Sequence, residues 1–286
     1  QTKADIRFAH DNIRRFAEAQ KATISDAQVE IIPGLIAGQR QIPVGAAGCY
    51  VPGGRYAHIA SAILTITTAK VAGVGHITAC SPTRAGVGIP PAILYAMDLC
   101  GADAILNMGG VQAVAAMAAG LFGTTPADIL VGPGNSCVAE AKRQLFGKVG
   151  IDMIAGPTAT LIIADKTADP KTVSWDLIGQ AEHGPARTVW LLTNDRALGE
   201  TVLRRVPHLI ETLPDQNACA ARVSWAERAE VILCDTTEEM AQLSDSYAPE
   251  HLHVQAIGLD WWRDRLTIYG SLFLGAQTTV PFGDKC

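Results

Sequence analysis

Charge is scarce in this sequence, and the scarcity narrows what the chain can do. Only 18% of its 286 residues are Asp, Glu, Lys or Arg, against 48% hydrophobic, and the net charge is -5. No block of Lys or Arg builds a basic stripe, which argues against nucleic acid and anionic membrane surfaces as partners. No run of about 18 uncharged apolar residues occurs, so no membrane span is expected. The seven cysteines show no CxxC spacing. An odd, scattered set fits free thiols in a reducing cytoplasm better than a disulfide framework. The opening QTKADIRFAH has neither an initiator Met nor a signal-type apolar core, so a trimmed start is expected. GxGxxG and GxxxxGK phosphate loops are absent too.

What is present is a strand–helix rhythm. Short apolar runs alternate with helical periods from residue 60 onward. HITACS (76–81) precedes a helix over 90–99, ADAILNMG leads into VQAVAAMAAG, and ADILVG leads into NSCVAEAKRQLFG. A second series starts at TLIIAD (160–165) and runs through a helix near 172–182, TVWLLT, a helix near 196–206 and EVILCD. Repeated strand–helix units imply α/β architecture, with parallel sheets covered by helices on both faces. The opening segment spaces Ile6, Ala9, Ile13 and Phe16 for one face of an amphipathic helix. Two layers are expected to meet near 49–52 and again near 156–160.

Glycine-bearing turns, NMGGVQA (107–113) and VGPGNSC (131–137), fall after strands. In open parallel sheets that edge binds ligands, and helix N-termini there favour anions. Ordinary strand–helix turns would look the same.

Three polar clusters stand out. In LIGQAEHGPA (177–186), Gln180 and His183 are three apart, so a helix projects both from one face, where they could share a metal ion. A capping or surface His is the plainer reading. In SYAPEHLHV (246–254), Glu250 adjoins His251 just before a probable strand, an acid–imidazole pair suited to proton relay or to a solvated loop. In PFGDKC (281–286), Asp284 follows a glycine after an apolar strand, as a carboxylate ligand or a turn residue would.

A resemblance joins these signals. GCYVPGG (48–54), TTAKVAGV (67–74), GGVQAVAA (109–116), VGPGN (131–135), KVGIDMIAGP (148–157), QAEHGP (180–185) and APEHL (248–252) come in the order found in the histidinol dehydrogenase family. The family resemblance implies two incomplete Rossmann-like parallel-sheet domains, with family segments missing at both ends of this chain. Residues 1–49 with 159–286 would form one domain, carrying most zinc and acid/base residues, and 50–158 would bind NAD. It implies a homodimeric, zinc-dependent, NAD-linked oxidation of a primary alcohol through the aldehyde to the acid. Gln180, His183 and Asp284 would ligate Zn2+, with a fourth ligand, a His, from the partner chain's missing tail. Glu250 and His251 would be the acid/base pair, while Tyr50, Gln112 and Asn135 match NAD-contacting positions. Thr158 stands at a substrate-contacting Ser position. Gln180, His183, His251, Asp284 and Lys285 complete the expected substrate environment, with Gln180 and His183 turned toward a cleft.

Departures from the histidinol enzymes bear on substrate. Ala159 replaces a carboxylate, Gly184 replaces an acid, and Lys285 adds a cation beside Asp284. The neighbourhood becomes less negative, which suits a small anionic alcohol better than the ammonium group of histidinol. YVPGGRYAHIASAI and ITACSP look like the sulfopropanediol dehydrogenase branch, which oxidises 2,3-dihydroxypropane-1-sulfonate to sulfolactate. The alternatives are L-histidinol oxidation and, more remotely, a catalytically silent metabolite-binding module.

Overall fold

The structure is a computed structural model describing residues 2–53, 57–83, 88–154, 158–280 and 283. Asp284 and Lys285 lie outside these residues. Tertiary contacts divide the chain into two compact units, residues 1–156 and 157–283.

In the first unit, α1 (Thr2–Ala22) precedes a hairpin of β1 (Ala27–Ile32) and β2 (Leu35–Gln39), then β3 (Ala46–Tyr50). One helical stretch follows in three pieces: α2 (Ile59–Ala62), a π-helical segment (Ile63–Thr67) and α3 (Thr68–Ala72). Then come β4 (His76–Cys80), α4 (Pro91–Cys100), β5 (Ala104–Leu106), α5 (Gly110–Ala119), β6 (Ile129–Val131), α6 (Ser136–Leu145) and β7 (Gly150–Ile151). All pairings in the sheet are parallel, with spatial order β5-β4-β3-β6-β7.

The second unit contains β8 (Ala159–Ala164), α7 (Pro170–Ala181), β9 (Thr188–Thr193), α8 (Arg196–Ile210) and α9 (Asp215–Arg228). It ends with β10 (Glu230–Leu233), α10 (Thr237–Tyr247), β11 (His251–Gln255), α11 (Leu259–Arg265) and β12 (Ser271–Leu274). Its sheet, also parallel, has the order β10-β9-β8-β11-β12.

Numbered within each five-stranded sheet, both orders read 3-2-1-4-5, the doubly wound pattern that reverses direction beside its first strand. The central strands are apolar throughout because helices cover both faces. In β8, Ile162 and Ala164 join the cluster under α7, α8 and α9, while Leu161 and Ile163 join Met240, Ala241 and Trp262 on the other side. This is the expected α/β class with two Rossmann-like sheets.

Three expectations change. Residues 1–49 group with the first unit rather than with 159–286, because α1 packs on the π-helical segment, α3 and α4. Phe16 is 60% exposed and Ala17 is buried in its place beside Ile6 and Ile13. At ~100° per residue, eleven positions beyond Ile6 return to the stripe and ten do not. Among the described residues no strand leads toward Gly283: β12 ends at Leu274 and Thr278 turns back to hydrogen-bond Gly275.

Candidate functional site

The two units present opposite edges of the same topology. In the first unit the candidate NAD residues collect at the carboxyl edge. Tyr50 ends β3, Gln112 lies in the first turn of α5, and Asn135 is the N-cap of α6. The Tyr50 hydroxyl accepts the Gly110 N–H at 3.0 Å, and burial raises its pKa. The Asn135 side chain accepts the Val138 N–H at 3.1 Å, so its oxygen serves the helix and its amide N–H groups remain for a ligand. Gln112 is exposed.

The turn between β6 and α6 is held from behind. Lys142, buried, donates to the Gly132 carbonyl at 3.1 Å and pairs with Asp152, whose other oxygen accepts the Gly132 N–H at 2.7 Å. Gly132 sits at φ +113, and a Cβ there would stand 2.1 Å from the Tyr50 carbonyl oxygen. Strands flanking the reversal point can approach this closely only at glycine. Lys142 and Asp152 escaped sequence reasoning, which had only a Lys inside an amphipathic helix to go on.

In the second unit the same carboxyl-edge crevice is filled by the protein itself. Asp165, at the end of β8, accepts the N–H groups of Thr167 and Ile257 and the Thr167 hydroxyl. Burial alone would raise its pKa, but these hydrogen bonds outweigh it and hold the carboxyl low.

The remaining candidates lie at the amino edge. α7 starts beyond the carboxyl end of β8, capped by Asp169, and runs back, so its last turn reaches the amino edge. Gln180 is half-buried in that turn, and the His183 N–H bonds the Gln180 carbonyl at 3.3 Å. Glu182 is set apart from the cluster: its carboxylate accepts the Asn217 side-chain N–H from α9 at 3.0 Å. α10 also ends at this edge, closed by Ala248 at φ +48, a left-handed conformation costing a non-glycine residue about 1–2 kcal/mol. Glu250 and His251 follow within three residues. Glu250 is exposed, its carbonyl accepts the Ser271 N–H at 2.8 Å, and His251 is half-buried edge-to-face with Phe273. Thr158 immediately precedes β8, beside the β11 entrance.

A buried polar network ties these elements together. Asp176, one turn before Gln180 on α7, accepts Gln255 Nε2 at 2.7 Å and the Thr279 hydroxyl at 2.9 Å. His253 Nδ1 faces it at 3.3 Å, while His253 Nε2 donates to the Gly275 carbonyl at 3.2 Å. Desolvation raises the Asp176 pKa, with the His253 charge acting against that shift.

Helix ends decide what each edge can hold. N-termini of α5 and α6 offer N–H groups and positive dipole ends to an anion such as a dinucleotide pyrophosphate. C-termini of α7 and α10 offer negative ends, which favour a cation. Gln180 and His183, an oxygen and an imidazole nitrogen i, i+3 apart, suit a divalent metal there, with zinc commonly taking His. Among the described residues no group of three His, Cys, Asp or Glu side chains forms a metal cluster, and the expected third ligand, Asp284, lies outside them.

Comparison with known proteins fixes the family. The histidinol dehydrogenase family profile matches residues 1–286.

The chain belongs to the histidinol dehydrogenase family.

It is 67% identical over 283 residues to a histidinol dehydrogenase homolog of Ruegeria pomeroyi, and 65% identical to the sulfopropanediol 3-dehydrogenase of the same organism. Each match covers 99% of this chain and 65% of the relative, so the chain spans somewhat under two thirds of their length. Identity to the histidinol dehydrogenase of Methanosarcina barkeri is 38%, covering 98% of this chain and 64% of that protein. The crystal structure of histidinol dehydrogenase from Elizabethkingia anophelis superposes with a TM-score of 0.90 at 35% identity, covering 98% of this chain and 64% of that one. No helix among the described residues is long and apolar enough to cross a membrane.

Proposed function

We propose that this protein is a zinc-dependent, NAD-linked dehydrogenase that takes a small anionic primary alcohol through its aldehyde to the carboxylate. The preferred substrate on this reading is 2,3-dihydroxypropane-1-sulfonate, oxidised to sulfolactate. The observation that carries the proposal is the opposed polarity of the two edges: helix N-termini with Tyr50, Gln112 and Asn135 on one sheet, helix C-termini with Gln180, His183, Glu250 and His251 on the other. The 65% identity to a sulfopropanediol 3-dehydrogenase, against 38% to a histidinol dehydrogenase, supports the anionic substrate. So does Lys285 beside Asp284 in sequence.

Gln180, His183 and Asp284 would hold the zinc, with a fourth ligand from a second copy in a homodimer. Bound zinc polarises the alcohol oxygen, and NAD accepts the hydride. His251, tunable near neutral pH, takes the hydroxyl proton in the first oxidation. Glu250, exposed at the mouth of β11, removes a proton from the water that adds to the aldehyde. Overall, the alcohol, two NAD+ and water give the carboxylate, two NADH and three protons. Thr158 at the head of β8 would orient the substrate, Lys285 would meet its anionic end, and free thiols fit a cytoplasmic enzyme.

NAD reduction with dihydroxypropanesulfonate and with histidinol, each with and without a chelator, tests the reading. Chelator-sensitive turnover favouring the sulfonate is expected, and His183→Ala should lose bound zinc while staying folded. Preference for histidinol would replace the substrate assignment, and full zinc content in His183→Ala would remove that ligand.

A further inference from the structure

One cation at the amino edge of the second sheet is missing from the family-derived site. Arg187 lies between the turn that follows His183 and the first residue of β9. Its backbone is fixed on both sides: its N–H donates to the Gly184 carbonyl at 3.1 Å, and its carbonyl accepts the Ser224 hydroxyl at 2.9 Å. Strand register sets its neighbours. Thr188 pairs with Ala159, and Thr160 pairs with His251. Arg187 therefore stands level with Thr158 on the adjacent strand, about 5 Å away, and the row continues to Pro249, one residue before Glu250. The side chain is half-buried, and the Glu250 carboxylate acts on it electrostatically.

The guanidinium nevertheless makes no ion pair or hydrogen bond among the described residues. Four of the exposed arginines, Arg14, Arg143, Arg222 and Arg263, each hold a carboxylate. A guanidinium presents five N–H donors in a planar fork matched to a two-oxygen anion. Leaving that fork partly desolvated and unmatched is unfavourable, and an incoming anion removes the penalty.

We infer that Arg187 is the anion-recognition residue of this site, binding the sulfonate (or a like oxyanion) of a small hydroxylated substrate through paired N–H···O contacts. The inference deepens the proposed function and rests on its placement of the substrate at the amino edge. It supplies a substrate-charge determinant independent of Lys285.

Calorimetric titration of the zinc-loaded protein with dihydroxypropanesulfonate and with uncharged propane-1,2-diol tests it, alongside steady-state NAD reduction. Arg187→Gln should weaken sulfonate binding and raise its KM by about ten- to a hundred-fold relative to the diol. Arg187→Lys, which keeps the charge but not the fork, should recover part of the loss. Equal affinities in parent and Arg187→Gln, or parallel losses for sulfonate and diol, would overturn the assignment. So would a parent that binds no sulfonate. If zinc-dependent NAD reduction persists while sulfonate binding ignores Arg187, this inference fails and the dehydrogenase reading stands. Arg187-dependent sulfonate binding without reduction of NAD by any alcohol would do the reverse.

Discussion

Asp176 should tolerate asparagine and reject alanine. Its two oxygens serve three partners: Thr279, Gln255 and His253. His253 is 1% exposed, and its Nε2 faces the Gly275 carbonyl, which only accepts, so that nitrogen carries a hydrogen. Nδ1 then faces the carboxylate at 3.3 Å. Alanine would strand a fully buried imidazole together with an amide and a hydroxyl, at a cost of about 3–5 kcal/mol, as when one partner of a buried pair is removed. Asparagine can satisfy every group. Gln255 Oε1 has no hydrogen-bond partner among the described residues, so a flip of that amide lets it accept one hydrogen of the new NH2 group. The imidazole Nδ1 can accept the other, and the asparagine oxygen still receives the Thr279 hydroxyl. The expected cost is below about 1.5 kcal/mol. The pH dependence has a fixed sign. Burial raises the folded-state pKa of Asp176, so its stabilising contribution is present below the unfolded carboxylate value and is lost as pH rises through the folded one. Asp176→Asn should lack that slope. Urea unfolding followed by circular dichroism, at pH 7 and across about pH 3–6, reads all three quantities. An alanine variant within about 1 kcal/mol of the parent, or an asparagine variant as damaged as the alanine one, would refute this account of the network.

Gly132→Ala should cost more than about 4 kcal/mol, because the added carbon meets the Tyr50 carbonyl and the φ is left-handed; a thermal midpoint close to the parent's would show that the turn can shift. Cys49 and Cys80 are pushed up to about 12 and Cys100 to about 11 by burial, so at pH 8 they stay protonated. A thiol reagent should therefore label the exposed Cys137 and Cys219 quickly and reach those three only after unfolding; mass spectrometry showing Cys49 or Cys80 modified in the folded protein would contradict this.

The strand–helix alternation was legible because parallel strands covered on both faces are continuous apolar runs, and TVWLLT became β9 with both ends as expected. The cluster at 180–183 was visible as a polar break ending a core helix. Glu182 lies between its two members in sequence, and only tertiary structure assigns that carboxylate to Asn217. α9 escaped notice since its buried face consists of Ala218, Ala221 and Ser224, too small to give an apolar period. The β1–β2 hairpin is exposed at every position, so no alternation of burial marks it. Which edge of each sheet carries the candidates depends on strand order and helix direction, which no local pattern encodes. Arg187 belongs to the same class: a lone arginine after a turn acquires meaning only through the register of β8, β9 and β11.

The self-filled carboxyl edge of the second sheet has a practical consequence. Its connections hold no candidate chemistry, and they lie a strand's length, about 20 Å, from Thr158, Arg187 and Glu250 at the amino edge. Asn194, exposed in the short link between β9 and α8, offers a point for splicing a tether or an affinity peptide. Protein anchored there to a bead or an electrode would turn the amino edge of this sheet away from the support, so immobilisation and substrate access need not compete.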